Sequence, residues 1–370
     1  CRVPEDVART LVLALATTGP ARSRRRIAYH DLGVEQLGAV YERVLEHEPV
    51  ATRAGVSLRR TSTERKATGS FYTPRSITEF VVRRTLQPLV AERAAGGILD
   101  LRVVDPAMGS GAFLVAACRY LAEQCEQALI RDGQWRAAEV SAGDRAGLRR
   151  QVAERCLYDV DLNPTAVQLA RLSLWLTTLA AGKPLTFLDH HLAVGNSLLG
   201  GWLADLSRPP IRRAAPAPAL PLFDDVSAVV AAHVLPQRLR LASQPSDSPQ
   251  AVRDKERMFE ALSGPEGPFA RWRRAADAWC AAALWPGTPP AHAVVNEWLA
   301  AALGGATTLP AGQLARWLAR AAQVAAGHAV FHWELAFPEV FFDAEGRRRS
   351  DGGFDAVLGN PPWDMLRADS

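Results

Sequence analysis

The sequence predicts a doubly wound α/β protein, a parallel sheet flanked by helices and interrupted by a large helical insertion. Three observations carry that expectation. Between residues 98 and 188, β-prone apolar runs end in short turns and are followed by helical runs. Strands that alternate with helices imply a parallel sheet with right-handed crossovers. From residue 205 to about 330 the alternation stops and the chain turns rich in Ala, Arg, Pro and Trp. A final β-prone run, Phe354–Leu358, then resumes the sheet.

The composition fits such a fold. The chain has 370 residues, 48% hydrophobic and 22% charged, which is room for roughly two domains and excludes a largely disordered chain. No apolar run of about 18 residues is present, so no transmembrane helix is expected. A signal-peptide pattern is missing as well. The numbering opens on Cys1, which reads as a piece of a longer product. The 5 cysteines, Cys1, Cys118, Cys125, Cys156 and Cys280, form no CxxC pair. No zinc or other metal site is expected, and the thiols read as reduced and cytosolic. The net charge of +4 is too mild to mark a nucleic-acid binder by itself. Only Lys66, Lys183 and Lys255 stand against the many arginines. In an Ala-rich chain this reads as compositional bias rather than a phosphate-binding surface.

Taken in order, residues 1–62 read as a basic helical segment. Leu37, Val40, Tyr41, Val44 and Leu45 recur at helical spacing, and Arg22, Arg24, Arg25 and Arg26 form a solvated run. After the polar link Thr61–Thr68, residues 63–204 form the first part of an α/β core. Its expected elements are a strand within Ile98–Asp105, a helix over Ala112–Gln127, a charged helical excursion over Arg131–Glu154, a strand at Cys156–Val160, a helix over Pro164–Ala180 and a third strand at Leu185–Leu188. Residues 205–350 form the insertion, with helices near Val252–Leu262, Phe269–Leu284, Ala291–Leu303 and Leu314–Gly327. Ala214–Leu222 and Ser243–Gln250 read as loops from their proline and serine. The insertion's tryptophans, among them Trp272 and Trp279, are expected to pack a core rather than stack on bases. Residues 351–370 hold the last strand and the loop behind it.

Four segments carry chemistry. In Asp105-Pro106-Ala107-Met108-Gly109-Ser110-Gly111 a strand ends, glycines permit a tight turn, and a helix begins. Backbone approach at glycine and free N–H groups at a helix start suit a nucleoside ligand. The GxGxxG spacing and the P-loop lysine are both missing, so a bare helix start also satisfies the pattern. In Tyr158-Asp159-Val160-Asp161-Leu162-Asn163-Pro164, Asp161 stands where an acid accepts ribose hydroxyls. It stands equally well where an acid caps the helix that follows. Asp159 is expected on the opposite strand face. After the third strand, Asp189-His190-His191 leads to Asn196, whose amide both donates and accepts and suits the edge of an adenine. Last, Asn360-Pro361-Pro362-Trp363 follows a strand. An aromatic amine is a poor nucleophile because its lone pair is delocalised into the ring. An Asn oxygen and a proline carbonyl together accept both its protons and favour a tetrahedral nitrogen. Trp363 offers a stacking face.

With these residues the chain resembles the methyltransferases that methylate adenine N6 in DNA with S-adenosylmethionine, and in particular the large phage-defence enzymes: type IIG restriction–modification, BREX and DISARM methyltransferases. The resemblance also rests on Gly69-Ser70-Phe71-Tyr72-Thr73-Pro74, Val194–Gly200, Phe331-His332-Trp333-Glu334 and Phe337–Phe341. It implies a Rossmann-like methyltransferase sheet, incomplete in this chain, in a bacterial cytoplasmic protein. Tyr72, Thr73 and Pro74 would close over the methionine end of the cofactor. Asp105, Pro106, Ala107, Gly109 and Gly111 would hold its amino-acid side, Asp161 the ribose, and Asn196, with Asp189, the adenine. Asn360, Pro361 and Pro362 would bind the target amine, and Trp363 would stack on a base flipped from duplex DNA. The family's later strands and target-recognition domain find no counterpart here, so the rest of the protein or another subunit is expected to supply them. A protein glutamine methyltransferase and a non-catalytic, cofactor-binding DNA-recognition subunit are the competing readings.

Overall fold

The computed structural model describes residues 5–20, 23–26, 47–52, 55–60, 73–207 and 229–361. Its elements run α1 (Glu5–Ala16), β1 (Thr17–Thr18), β2 (Arg25–Arg26), β3 (His47–Thr52), β4 (Gly55–Arg60), α2 (Arg75–Val90), α3 (Ala95–Leu99), β5 (Val103–Asp105), α4 (Ala112–Arg131), α5 (Ala142–Arg155), β6 (Leu157–Asp161), α6 (Pro164–Thr178) and β7 (Leu192–Val194). The insertion follows as α7 (Leu235–Ser243), α8 (Pro249–Ser263), α9 (Ala270–Ala283), α10 (His292–Ala302) and α11 (Ala311–Gly327). The short helices α12 (Trp333–Ala336) and α13 (Pro338–Phe341) lead to the last strand, β8 (Ala356–Val357).

The expected α/β class is borne out. Strands β7, β6, β5 and β8 lie side by side in that order, all parallel. The last strand therefore sits beside the first, as the doubly wound order requires. Successive residues of a strand point to opposite faces, and the two cores follow that alternation. Val103, Leu157 and Leu192 pack with α2–α6 on one face. Val104, Tyr158 and Val160 pack on the other with the insertion, against Trp272, Trp298 and Phe337.

Several expectations are corrected. The N-terminal region is not wholly helical: β1 pairs with β2, and β3 with β4, in antiparallel ladders. The helical pattern at 37–45 lies outside the described residues. The apolar stretch from Ile98 divides, Ile98 and Leu99 closing the short helix α3 and only Val103–Asp105 entering the sheet. The third strand is not Leu185–Leu188 but Leu192–Val194. Side chains of α6 claim the earlier run instead. Trp175 Nε1 donates to the Thr186 carbonyl at 2.7 Å, and the Thr178 and Thr186 hydroxyls lie 3.3 Å apart. Helices α2, α7, α12 and α13 have no counterpart among the expected elements. The cysteines of the described residues, Cys118, Cys125, Cys156 and Cys280, are free and buried. No helix among the described residues is long and apolar enough to cross a membrane.

Candidate active site

The carboxyl ends of β5, β6, β7 and β8 converge, and the turns leaving them carry most of the predicted residues. Behind β5 the chain turns at Gly109 and Gly111, both at positive φ, and enters α4 with no side-chain cap. A side chain on Gly111 would meet Ala170 of α6 at 3.1 Å, so glycine serves there for both conformation and space. Around Gly109 the space is open, with no heavy atom within 4 Å of where a Cβ would stand.

Asp105 and Asp161 hold this turn from two sides. Asp105 Oδ1 accepts the Ala107 N–H at 3.0 Å. Asp161 Oδ2 accepts the Gly109 N–H at 2.9 Å, and its Oδ1 accepts the Asn163 N–H at 2.8 Å. Helix α6 is capped by Asn163, whose Oδ1 accepts the Thr165 N–H at 2.9 Å, so Asp161 is not that helix's cap. The expectation for Asp159 is corrected as well. Residues two apart on a strand share a face, and Asp159 lies buried on the side of Asp161, in register with Asp105. Neither Asp159 oxygen nor Asp105 Oδ2 has a hydrogen-bond partner among the described residues. Burial pushes the Asp105 carboxyl up to about 7, with Asp161 adding to the rise and the Ala107 N–H opposing it. Burial raises Asp159 well above the carboxylate range, and the charges of Asp105 and Asp161 raise it further. Asp161 is raised by burial, against its two backbone N–H donors.

The loop after β8 closes on this corner. The Leu358 N–H donates to the Val104 carbonyl at 2.8 Å, which extends the β5–β8 ladder to the loop. Gly359 then passes so near Asp105 that a Cβ would stand 2.8 Å from Oδ1. The next residue, Asn360, donates from Nδ2 to Thr73 Oγ1 at 3.3 Å. Thr73 is buried, and Asn360 and Pro361 are exposed. Pro74 stands at the head of α2, and Pro106 and Ala107 are half-buried in the turn behind β5. Tyr72, Pro362 and Trp363 lie outside the described residues.

After β7, the Gly195 N–H donates to the Asp161 carbonyl at 2.9 Å. This brings Asn196 to the same end of the sheet, and its Oδ1 accepts the Leu198 N–H at 3.1 Å. Asp189 does not join the group: its Oδ1 pairs with Arg171 of α6 at 2.6 Å. Among the described residues no three His, Cys, Asp or Glu side chains are grouped to hold a metal ion.

Residues 155–369 match the sequence model of the Eco57I restriction-modification methylase, more than half of the chain. The chain belongs to that family. Residues 35–192 match the N-6 DNA methylase model, so the two matches together cover both the glycine turn and the Asn360 loop of this Eco57I-family chain. The resemblance read from its motifs, to adenine-N6 methyltransferases of the restriction–modification type, is borne out. Similar proteins include the adenine-specific methyltransferase PglX of Streptomyces coelicolor, 34% identical over 143 residues, 36% of this chain and 10% of that protein. A second is RM.MjaORFECS2P of Methanocaldococcus jannaschii, named for a type II restriction enzyme and methyltransferase. It is 25% identical over 221 residues, 47% of this chain and 17% of that protein. The chain thus spans a small part of the length of these relatives.

Two features of the corner lie beyond the motifs. Asn163, next to the acid that also suits a cap, is the residue that caps α6. The stretch Phe331–Glu334 packs along the loop that follows Gly195. Gly195 and Gly200 do not take positive φ, so glycine there answers a need for space, and the two glycines themselves are the trace this packing leaves in the sequence.

Proposed function

We propose that this chain carries the cofactor site and catalytic loop of an enzyme that transfers a methyl group from S-adenosylmethionine to N6 of an adenine flipped from duplex DNA, within a restriction–modification or related phage-defence system. The observation that carries the reading is the Asn360–Thr73 contact. It joins the loop after β8, whose Gly359 passes against Asp105, to the residues ahead of α2. In this reading the sheet is a Rossmann-like methyltransferase core formed by residues 63–204 and 351–370.

The residues suit the cofactor. The unpartnered, buried Asp105 Oδ2 fits an ammonium group. The open space at Gly109 accepts a ligand against the backbone. Each Asp161 oxygen takes one backbone N–H and keeps acceptor capacity for a ribose hydroxyl. When bound, S-adenosylmethionine supplies an electrophilic methyl group. Asn360 Oδ1 and the Pro361 carbonyl accept the two protons of the target amine and localise its lone pair toward that methyl. Pro361 lacks an N–H that would compete as donor. Trp363 provides the face on which the flipped base stacks, and Tyr72 helps close the methionine end.

The test offers a tritiated methyl donor to the full-length protein with duplex DNA, RNA and protein side by side. Label is expected in adenine of duplex DNA alone. Asn360→Ala should lower turnover on the order of 100-fold or more, the scale of losing one group aimed at a transition state. Label in glutamine or RNA, or full turnover in Asn360→Ala, overturns the reading.

A further inference from the structure

The loop carrying Asn196 is held almost entirely from outside the sheet, by one short stretch at the end of the insertion. The Asn196 N–H donates to the Ala329 carbonyl at 2.7 Å, and the Phe331 N–H donates back to the Leu199 carbonyl at 2.7 Å. Trp333 Nε1 donates to the Ser197 carbonyl at 3.1 Å. His332 Nδ1 accepts the Gly201 N–H at 3.0 Å, and Glu334 Oε2 accepts the Leu203 N–H at 2.8 Å. The two strips also meet without room to spare. A Cβ on Gly195 would stand 2.8 Å from the Phe331 side chain, and one on Gly200 would run into the Phe331 carbonyl oxygen.

The holding residues are themselves held. Because His332 Nδ1 accepts, the ring proton sits on Nε2, which donates to Asp277 Oδ1 of α9 at 3.0 Å. Glu334 Oε1 accepts from Arg348 Nε at 2.8 Å. The Leu198 N–H occupies Asn196 Oδ1, which fixes the amide so that Nδ2 is the group left to a ligand. An N–H donor suits N1 of adenine, an acceptor, and repels N1 of hypoxanthine, which carries a proton.

We propose that His332, Trp333 and Glu334 are positioning residues that hold Asn196 to read the base of the cofactor, so that helix α9 of the insertion, through Asp277, sets the selectivity of the nucleoside site. This rests on the cofactor reading above and adds to it a device built from residues remote in sequence. The consequence is specific. Loosening this strap, residues 329–334, reduces discrimination between bases before it reduces binding of the ribose and amino-acid portions, which Asp161 and Asp105 hold independently.

The experiment measures binding of two probes to the full-length protein, S-adenosylhomocysteine and its deaminated analogue carrying hypoxanthine. The native protein should prefer the adenine probe by about 10-fold or more, the scale of one hydrogen bond made against one donor left facing another. Asn196→Ala should abolish that preference. Trp333→Phe keeps an aromatic ring against Phe331, Phe337 and Phe354 and removes only the Nε1 donor. It should cut the preference at least threefold at an unchanged melting temperature. Glu334→Ala should cut it further, whereas Glu334→Gln, which retains an acceptor for the Leu203 N–H, should restore most of it. In the ligand-free protein, amide exchange at Leu203 should speed up in Glu334→Ala and not in Glu334→Gln. If Asn196→Ala loses the preference while Trp333→Phe and Glu334→Ala keep it within twofold, the positioning role is wrong though Asn196 still reads the base. If Asn196→Ala keeps it, the assignment of Asn196 fails and the strap proposal falls with it.

Discussion

Asp105, Asp159 and Asp161 place three carboxyls in one corner of the sheet, two of them with oxygens that find no donor. Such a group binds protons more readily in the folded chain than in the unfolded one. The sign follows for Asp105, raised from 3.8 to about 7. Its contribution to stability is fully present below 3.8 and is lost as pH rises through about 7. Asp159 and Asp161 are raised too, so they act in the same direction. For the ligand the sign is reversed. The proposed cofactor carries an ammonium group that Asp105 receives best as a carboxylate. Affinity for S-adenosylmethionine should therefore rise several-fold between about pH 6 and 8, with a proton released on binding. Calorimetry in buffers of different ionisation enthalpy reads that proton directly. Asp105→Asn should bind more weakly and show a much flatter pH dependence. An unchanged slope in that variant would remove Asp105 from the site.

The turns at the strand ends depend on glycines for different reasons, and substitution separates them. Gly200→Ala drives a methyl group into the Phe331 carbonyl. Either the loop or the strap must move, and about 1–3 kcal/mol of stability should be lost, the range for forcing extra volume into a packed site. Gly109→Ala meets no atom within 4 Å and carries only the backbone penalty of its positive φ, about 1 kcal/mol. Thermal unfolding of the two variants should rank Gly200→Ala as the more damaging, and the reverse order would show that the loop relaxes freely. These positions also mark how far the sequence could be read. The Asp105–Gly111 turn was legible because a strand, two glycines and a helix follow one another within a few residues. Helices α8–α11 were legible from their apolar spacing. The third strand was misplaced because Leu185–Leu188 and Leu192–Val194 are both short and apolar. Only the ladder with β6, which pairs Asp159 with Leu192, decides between them. Asp161 is legible by its place before Pro164, and Asp159, two residues earlier on the same strand, shares its face. Contacts across more than a hundred residues, such as Glu334 on Leu203, leave no local mark.

Sheet and insertion share a hydrophobic core, and this bears on how the chain unfolds. Val104, Tyr158 and Val160 of the sheet lie in the same cluster as Trp272, Trp298 and Val324 of the insertion. The rings of Trp285, Trp298 and Trp317 meet in tilted pairs with centroids 5.4–5.5 Å apart, which supports the reading of these rings as packing. A buried ion pair inside the insertion is joined to the core through one further hydrogen bond. Arg238 of α7 bonds both Glu339 oxygens, at 2.8 and 2.7 Å, and donates to the His190 carbonyl ahead of β7 at 2.9 Å. Truncating either partner would leave the other charge buried and unpaired, a loss of about 3–5 kcal/mol. A helical domain merely tethered to the sheet would open at its own, lower free energy. A shared core instead couples the two into one cooperative unit. Trp298→Ala, which removes a fully buried ring, should cost about 3–5 kcal/mol. Hydrogen exchange in the full-length protein locates that loss. Peptides from α9 and α10 and peptides from β5 and β6 should lose protection by the same amount. Loss confined to the insertion, with the strands still protected, would show two separable units and break the link by which α9 is proposed to govern the nucleoside loop.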